Sequence, residues 1–332
     1  MSAPGPVRPS PVLNPALQAA AGKEQGKREK RDVSGWVVLD KPVGMTSTHA
    51  VARVKRAFSA KKAGHAGTLD PLASGLLPIA LGEATKTVPF VMEGRKRYRF
   101  TVRWGVETDT DDAEGRAIAT SEARPDGAAV RAALPRFTGA IEQVPPKFSA
   151  IKIEGERAYD LARDGETVEL SARTVEIHQL ALVEIPDADH AVFEAECGKG
   201  TYVRALARDL GRTLGSAGHV VALRRTMVGP FSEAEAVGID ELSGYSEAAA
   251  AEKVPRPSFL LGVETALQAL PALNVSSADA SRLVRGQAVL LRGRDAPMIE
   301  GWIAISTEGT LIALATAEKG ELHPRRIFNL PR

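Results

Sequence analysis

The chain of 332 residues has little cysteine, few aromatic residues and no long apolar run. Its single cysteine, Cys197, cannot form a disulfide within the chain or supply a cysteine-based zinc site. The six histidines are scattered without metal-ligand spacing, so we expect no bound metal. No apolar run approaches the roughly 20 residues that cross a bilayer, and the N-terminus lacks the pattern of a secretory signal. We therefore expect a cytoplasmic protein with no membrane contact.

Neither sign of charge is in large excess, since 43 basic and 41 acidic residues give a net charge of +2. The distribution is more informative than the sum, because acidic and basic residues are segregated along the chain. The basic clusters lie at 55–56, 61–62, 95–103 and 282–294, and the acidic ones at 107–114 and 233–252. Such segregation favours a basic face that binds a polyanion. The alternative is a set of solvated charged faces with no partner.

Composition divides the chain into an arm and two domains. Residues 1–32 are rich in proline, alanine and charge, which predicts a disordered basic arm. The stretch 232–257 is acidic and alanine-rich and ends in Pro255-Arg256-Pro257, which is typical of a linker. We expect a first domain over 33–257 and a small β-rich domain over 258–332. The second is marginal as an independent core, so it should dock on the first.

Alternation over 97–104 is the clearest strand signal. Tyr98 begins the apolar face, while Arg97, Arg99 and Arg103 make the opposite face almost wholly cationic. Further strands are predicted at 35–39, 175–185, 191–197 and 219–227, a helix at 128–134, and helices capped by Thr46 or Ser47, by Thr201, and by Ser276 or Ser277.

The stretch 64–86 combines many glycines and prolines with many leucines, and it carries one acid, Asp70, before Gly82. This composition predicts neither a helix nor a central strand before Gly82. Solvated linkers are usually polar, so we expect a rigid loop pressed against a core. A single carboxylate on such a loop is a candidate for chemistry. From its dipeptide context alone, Asp70 is instead a turn cap before Pro71.

The segment from Gly64 to Gly75, with Gly82-Glu83-Ala84-Thr85-Lys86, resembles the signature motif of the bacterial tRNA pseudouridine synthase B (TruB) family. Five motifs support this in family order: Leu39-Asp40-Lys41-Pro42-Val43-Gly44, Lys96-Arg97-Tyr98, Val144-Pro145-Pro146-Lys147-Phe148-Ser149-Ala150, Gly200-Thr201-Tyr202-Val203-Arg204 and Leu223-Arg224-Arg225. A dozen matching residues with five ordered supports are far more specific than a lone short motif. The likeness covers roughly 35–230, and the tail from about 270 is more weakly similar to a PUA domain.

The resemblance implies an α+β fold, in which helices and loops flank a mixed, mainly antiparallel sheet and a small β-rich PUA-like domain follows. It makes 33–257 the catalytic domain, 143–168 its mobile RNA-binding insertion and 258–332 the PUA-like RNA-binding domain. The implied activity is isomerisation of uridine 55 in the tRNA T-loop after the base is flipped out. Because no redox change occurs, no cofactor is expected. The implied partner is the T-arm of tRNA, bound by a monomer without an obligate protein partner.

The resemblance also implies the catalytic residues. Asp70 corresponds to the nucleophile, with attack at C1′, attack at C6 and a glycal route all left open by the chemistry. Arg204 is implied to pair with Asp70, because a carboxylate in an apolar pocket needs a balancing cation. Tyr98 is implied to stack on the flipped base, with its hydroxyl available as a proton acceptor. Without the resemblance, Arg204 would be a surface arginine and Tyr98 an ordinary core residue.

Five further residues are implied to bind the RNA. His65 is expected to enter the T-loop, although alone it would be interpreted as bonded within its own loop. Tyr202 and Leu223 are expected to form pocket walls, with ordinary packing as the alternative. Lys41 is expected to support the Asp70 loop and to approach the RNA. Arg97 is expected to hold phosphates together with its neighbours on the basic strand.

Two other functions fit the same residues. One is an RNA-guided pseudouridine synthase of box H/ACA particles. The insertion at 143–168 argues against this function, because it is typical of the stand-alone enzymes. The other is a tRNA-binding or tRNA-folding protein with vestigial catalysis, against which the intact set of Asp70, Tyr98 and Arg204 argues.

Overall fold

The structure, a computed structural model, describes residues 29–148, 152–153, 156–157, 170–251, 255–291 and 300–330. Most of the arm expected over 1–32 and most of the insertion expected over 143–168 lie outside the described residues. The helices are α1 (Ser47–Ala57), α2 (Val88–Glu93), α3 (Gly127–Ala133), α4 (Val203–Thr213), α5 (Ile239–Ala251) and α6 (Ser277–Val284). None of the described helices is long and apolar enough to span a membrane.

Strands outnumber helices among the described residues. They are β1 (Gly35–Lys41), β2 (Ala63–His65), β3 (Ser74–Leu81), β4 (Lys96–Trp104), β5 (Val106–Thr108), β6 (Ala117–Thr120), β7 (Gly139–Gln143), β8 (Lys152–Ile153), β9 (Glu156–Arg157), β10 (Arg173–Asp187), β11 (His190–Cys197), β12 (Gly218–Val228), β13 (Phe231–Ser232), β14 (Ala236–Val237), β15 (Ala272–Asn274), β16 (Val289–Leu290), β17 (Gly301–Thr307), β18 (Thr310–Glu318) and β19 (Glu321–Ile327).

A ten-stranded sheet organises the larger part of the fold. Eight strands follow the order β14-β1-β3-β12-β4-β11-β10-β7, while β13 pairs with β12 and β2 with β3. The pairs β1–β14 and β3–β12 are parallel and the others are antiparallel. The expected α+β fold with a mixed, mainly antiparallel sheet is therefore confirmed.

Strand β4 has the predicted alternation. Phe100, Val102 and Trp104 are buried, whereas the arginines between them are exposed. Phe100 stacks on Phe193 of β11 with ring centroids 5.4 Å apart, which extends the core across neighbouring strands.

The prediction that no central strand precedes Gly82 is wrong, because β3 lies between β1 and β12. Its proline, Pro78, pairs with Val38 of β1. The Pro78 carbonyl accepts from the Ala66 N–H at 2.9 Å, on the side away from β1. The N–H and C=O of one strand residue point to the same side, so the missing N–H of Pro78 removes no bond to β1.

One helix cap is as predicted and another is not. The Thr46 hydroxyl accepts from the His49 N–H at 3.1 Å and caps α1, as expected. Thr201 does not cap α4, because the N-cap is Tyr202 and makes no side-chain cap bond. Instead the Gln143 side chain accepts from the Tyr202 N–H at 2.8 Å and donates to its carbonyl at 3.2 Å. A residue distant in sequence thus completes this helix end.

The predicted linker over 232–257 is also largely wrong, because it contains β13, β14 and α5. Alanine is the best helix former, and Tyr245 anchors α5 on neighbouring aromatic residues. The ring of Tyr245 lies 4.8 Å from that of Phe58, which follows α1, and 5.8 Å from that of Phe259. The alanine-rich composition therefore marks a packed helix.

The C-terminal β-rich unit is a five-stranded sheet in the order β15-β17-β18-β19-β16, with α6 capped by Ser276 as predicted. It shares an apolar core with the ten-stranded sheet, in which Trp36 and Phe231 cluster with Leu314 and Phe328. Residues from 31 onward form one compact unit, so the expected docking is confirmed. The boundary at 257/258 stays a prediction.

Candidate active site

The Asp70 loop, residues 66–73, runs between β2 and β3 and is held by hydrogen bonds from several elements. The Ser47 hydroxyl in α1 both donates to the Leu69 carbonyl and accepts from its N–H, each at 2.9 Å. The Gly44 N–H donates to the Pro71 carbonyl at 2.8 Å. Because these partners come from outside the loop, the backbone around Asp70 is rigidly placed, as the sequence suggested.

Arg225 of β12 holds both this loop and the strand that follows it. Its side chain donates to the carbonyls of Leu76 at 2.8 Å, Thr68 at 3.2 Å and Gly67 at 3.0 Å, and the residue is only 2% exposed. Gly75 pairs with Arg225 at a φ of 96°, and a Cβ there would lie 2.2 Å from the Arg225 carbonyl oxygen. This close approach requires glycine.

Asp70 forms the expected ion pair with Arg204, with Oδ2 and Nη2 3.0 Å apart. Arg204 lies in the first turn of α4, and its Nη1 is 3.3 Å from Asp112 Oδ2 and donates to the Thr110 carbonyl at 2.9 Å. Its Nη2 also donates to the Phe148 carbonyl at 2.9 Å. One guanidinium therefore joins the Asp70 loop to the acidic loop, residues 107–114, and to the start of the expected insertion.

The two partners of this ion pair differ in accessibility. The Arg204 side chain is 7% exposed, whereas the Asp70 side chain is 40% exposed. A charge buried to this extent needs close partners, and the carboxylates of Asp70 and Asp112 supply them. The arrangement fixes the direction of the Asp70 carboxylate while leaving part of it open to a reacting molecule.

A cavity of about 300 Å³ opens beside Asp70. This volume is at the small end of ligand pockets. The structure brings together five of the eight predicted site residues in its wall: Asp70, Tyr98, Tyr202, Arg204 and Leu223. Lys96 and Arg225 also line it, so the cavity combines aromatic and aliphatic walls with one carboxylate and several cations.

The Tyr98 side chain lies near two charged residues of this cavity, Arg225 and Asp70. Burial raises its pKa, and the positive charge of the neighbouring Arg225 acts in the opposite direction. Burial is the larger effect, so Tyr98 is a neutral phenol at neutral pH. Tyr98 and Arg225 are paired across β4 and β12, which fixes the ring at the cavity wall.

Lys96 is a cavity residue to which the sequence assigned no role. Its Nζ donates to the main-chain carbonyls of Met92 and Gly94 at the end of α2. Burial and the positive charge of Arg225 lower the pKa of Lys96 to about 8. Its positive charge is thus more easily lost than that of an exposed lysine.

His65 and Lys41 lie outside the cavity wall. His65 is half-buried on β2, and burial together with Arg225 lowers its pKa, so its imidazole is neutral at neutral pH. Lys41 is 0% exposed, and its Nζ donates to the carbonyls of Pro42 and Met45 at 2.9 and 2.8 Å. These contacts suit the expected supporting role, and the expected approach to RNA stays a prediction.

The outer face of β4 is less cationic than its own sequence indicates. Arg97 and Arg95 both pair with Glu196 of β11, at 2.7 and 3.0 Å. Arg99 lies 3.8 Å from both Glu194 and a second carboxylate on β10. Cross-strand pairing with β11 therefore places acids opposite the arginines, which single-strand alternation cannot reveal.

Sequence reasoning missed three residues that shape the site: Arg225, Asp112 and Lys96. Strand alternation could have placed Arg225, because it follows the expected wall residue Leu223 by two positions and so shares its face. Nothing in the spacing distinguished Asp112 from the other acids of the acidic loop, yet it is buried. Within the described ranges, no group of three or more His, Cys, Asp and Glu side chains could hold a metal ion.

Two family profiles match the chain. The TruB family pseudouridylate synthase (N terminal domain) profile matches residues 55–203, and the tRNA pseudouridylate synthase B C-terminal domain profile matches residues 204–268. The chain is 67% identical over 306 residues to "tRNA pseudouridine synthase B" of Bradyrhizobium diazoefficiens, covering 92% of this chain and 89% of the relative. It is 54% identical over 311 residues to the protein of that name from Agrobacterium fabrum, covering 92% and 98%.

Solved structures show the same fold. An archaeal box H/ACA sRNP Nop10-Cbf5 complex contains a chain that is 25% identical, with a TM-score of 0.67 and coverage of 88% of this chain and 85% of that one. An H/ACA RNP bound to a substrate RNA containing 2′-deoxyuridine contains a chain that is 23% identical, with a TM-score of 0.67 and coverage of 93% and 94%. The second supports the fold alone.

Proposed function

The chain belongs to the TruB family of pseudouridylate synthases, and on that basis we propose that it converts uridine 55 in the T-loop of tRNA to pseudouridine with Asp70 as nucleophile. The observation that carries the proposal is the partly open Asp70 carboxylate, held at 3.0 Å by Arg204 beside a cavity of about 300 Å³. The bound RNA is the T-arm of tRNA, the substrate class that the names of the curated relatives indicate.

The reaction breaks the C1′–N1 glycosidic bond, turns the uracil and forms a C1′–C5 bond. The C5 proton leaves and N1 gains a proton, so the product is an isomer of the substrate. A positioned carboxylate supplies the nucleophile that such a bond exchange needs. Arg204 keeps that carboxylate aimed at the cavity, and the bonds from Ser47 and Arg225 keep its loop from moving.

The cavity walls suit a flipped pyrimidine. Tyr98 provides an aromatic face on which the base stacks, an interaction worth about 1–3 kcal/mol in single-stranded nucleic acid recognition. Leu223 and Tyr202 complete the wall. Because the Tyr98 phenol is neutral, it contacts the base without placing a second negative charge near Asp70.

Flipping the base out of a folded loop costs a few kcal/mol of stacking. His65 lies five residues before Asp70 on β2, at the start of the same loop. Its neutral imidazole carries little desolvation cost when it enters a stacked RNA loop in place of the flipped nucleotide. His65 therefore serves as the wedge, without acting as a charged group.

Binding outside the cavity involves the segment 143–168 and the β-rich unit over 258–332 as a PUA-like domain. Lysine and arginine contacts to phosphates hold the T-arm in register and make binding depend on salt. The enzyme acts as a monomer in this proposal.

A second function, RNA-guided pseudouridylation, is favoured by the likeness to box H/ACA proteins at 25% identity. The curated relatives at 67% and 54% identity favour a stand-alone tRNA enzyme instead. Purified protein incubated with naked T-arm RNA separates the two, since a guided enzyme needs its guide and partners. A protein with vestigial catalysis would bind that RNA without modifying it.

The mechanism is tested with Asp70→Asn and Asp70→Ala. We expect both to lower the rate of pseudouridine formation by more than about 10⁴-fold while T-arm binding survives, because only the nucleophile is lost. Glu122→Gln is the matched control, since Glu122 is an exposed acid outside the cavity wall. Near wild-type activity in Asp70→Ala would reject Asp70 as the nucleophile.

A further inference from the structure

A second buried arginine lies one helical turn after Arg204. Arg208 of α4 places Nη1 2.8 Å from Asp111 Oδ2 and Nε 2.8 Å from Asp209 Oδ1. Its Nη2 donates to the Val144 carbonyl at 2.8 Å. Arg204 and Arg208 therefore bind the same two segments, the acidic loop and the chain after β7, at two successive turns of one helix.

Asp111 has a strained backbone that this pairing explains. Its φ is 61°, a left-handed conformation that aspartate adopts only at a conformational cost. The Val220 N–H donates to the Asp111 carbonyl at 3.1 Å, and the Asp111 N–H donates to the Thr108 carbonyl at 3.2 Å. In this conformation the consecutive acids Asp111 and Asp112 reach arginines that lie one turn apart.

The acidic loop in turn fixes Arg204. Two of the contacts of Arg204, the Asp112 carboxylate and the Thr110 carbonyl, come from this loop. Any displacement of the loop therefore moves the guanidinium that orients Asp70. A misplacement of about 1 Å in a reacting group can cost about 10²-fold in rate.

We propose that Arg208 and Asp111 form a positioning pair that holds the acidic loop in its strained conformation and thereby fixes Arg204, and through it Asp70, for the reaction. This inference rests on the proposed function, since the reaction is the one that Asp70 performs. Neither residue lines the cavity, so the pair acts on the rate of isomerisation and not on the contacts with the base.

The test is a double-mutant cycle with Asp111→Asn, Arg208→Gln and the double variant. Asparagine keeps the size of aspartate and tolerates the left-handed backbone. We expect each single variant to lower the single-turnover rate of pseudouridine formation about tenfold, and the double variant to be no slower, because the two residues act as one unit. The dissociation constant for T-arm RNA should stay within about twofold of wild type.

Arg131→Gln is the control, because Arg131 is an exposed arginine on α3 whose side chain donates within its own helix, to the Gly127 carbonyl at 3.2 Å. It should retain the wild-type rate. Arg208→Lys keeps the charge without the planar fork and should fall between wild type and Arg208→Gln. Unchanged rates in both single variants, an additive loss of about 100-fold in the double variant, or a loss confined to RNA affinity would overturn the inference.

Hydrogen exchange separates a failure of this inference from a failure of the proposed function. Exchange in the peptide covering 107–114 should be faster in Arg208→Gln than in wild type or in Arg131→Gln, whether or not the protein modifies RNA. Unchanged exchange would overturn the holding role of the pair. A wild-type protein that makes no pseudouridine would instead reject the proposed function and, with it, the catalytic purpose of the pair.

Discussion

Arginine–carboxylate pairs occur in two regions of this protein with opposite degrees of burial. Around Asp70 they are enclosed, with Arg204 and Arg208 almost fully buried. On the outer face of β4 they are solvated, and the side chains of Arg97 and Arg99 are about half exposed. The same two chemical groups therefore serve different purposes in the two places.

Burial decides that difference. A buried guanidinium that loses one partner leaves an uncompensated charge, so its geometry is enforced. An exposed pair is screened by water and salt and contributes about 0–1 kcal/mol. The enclosed pairs are thus suited to aim a nucleophile, whereas the exposed arginines can exchange a carboxylate for a phosphate at little cost.

The contrast between buried and exposed arginine pairs is tested most strongly at Arg204. Arg204→Gln should lower the single-turnover rate by on the order of 10²–10³-fold, because Asp70 loses its orienting partner. Arg204→Lys should restore only part of the loss, since a lysine ammonium lacks the planar fork with which Arg204 contacts Asp70 and Asp112 through separate nitrogens. Rapid-quench assays of tritium release from uridine labelled at C5 give the rate. A rate within twofold of wild type would show that the enclosed pair is dispensable.

Arg225 tests the effect of burial on stability. Arg225→Leu leaves the carbonyls of Leu76, Thr68 and Gly67 without their donor, and we expect a loss of about 3 kcal/mol in the free energy of unfolding. The neighbouring Arg224→Leu is the control, because Arg224 is more exposed and pairs at the surface, so about 1 kcal/mol or less should be lost. Urea unfolding measures both, and equal losses would contradict the comparison.

Asp111 adds a pH dependence to the enclosed region. Burial raises the pKa of its carboxyl to about 6, against the opposing charges of Arg208 and Arg204. Glu107 and Asp209, the other acids nearby, raise it further. The carboxyl is therefore charged above about pH 6 and neutral below it, where its ion pair is lost.

We accordingly expect the wild-type single-turnover rate to fall as the pH decreases through about 6, by up to about tenfold. Asp111→Asn should be slow at every pH and should lack this step. The measurement is a pH–rate profile with saturating enzyme. An identical step in wild type and Asp111→Asn would assign the pH dependence to another group.

The smallest effect on stability is expected for the exposed arginines on the outer face of β4. Arg97→Gln should change the free energy of unfolding by less than about 0.5 kcal/mol, because the Arg97 side chain is about half exposed and Glu196 keeps its pair with Arg95. If Arg97 holds a phosphate, Arg97→Gln should also weaken the salt dependence of T-arm binding. The slope of the logarithm of the binding constant against the logarithm of the salt concentration should decrease in magnitude by about one. Filter binding at several salt concentrations measures this slope, and an unchanged slope would exclude a phosphate contact.

Local patterns predicted those parts of the fold that local physics determines. The alternation in β4, the Thr46 cap and the Ser276 cap all depend on neighbours in sequence, and all are confirmed. The errors arose where distant residues decide. Pro78 fits a central strand because of its partners on both sides, and Gln143 replaces Thr201 at the start of α4.

The candidate site divides in the same way. The ion pair between Asp70 and Arg204 was expected from the resemblance to a family and is present, while the roles of both residues stay predictions. Asp112 and Arg208 could not have been predicted, because their burial follows from the packing of α4 against the acidic loop. Arg225, in contrast, could have been predicted, because alternation in β12 places it on the same face as the expected wall residue Leu223.

The central proposal is that the Asp70 carboxylate, held by the buried Arg204, makes this chain a stand-alone tRNA pseudouridine synthase. The most direct test incubates purified wild-type protein and Asp70→Asn with a T-arm transcript and nothing else, and maps pseudouridine at single-nucleotide resolution. We expect modification at uridine 55 with the wild-type protein and none with Asp70→Asn, although both bind the RNA. Modification by Asp70→Asn, or its absence with the wild-type protein, would contradict the claim.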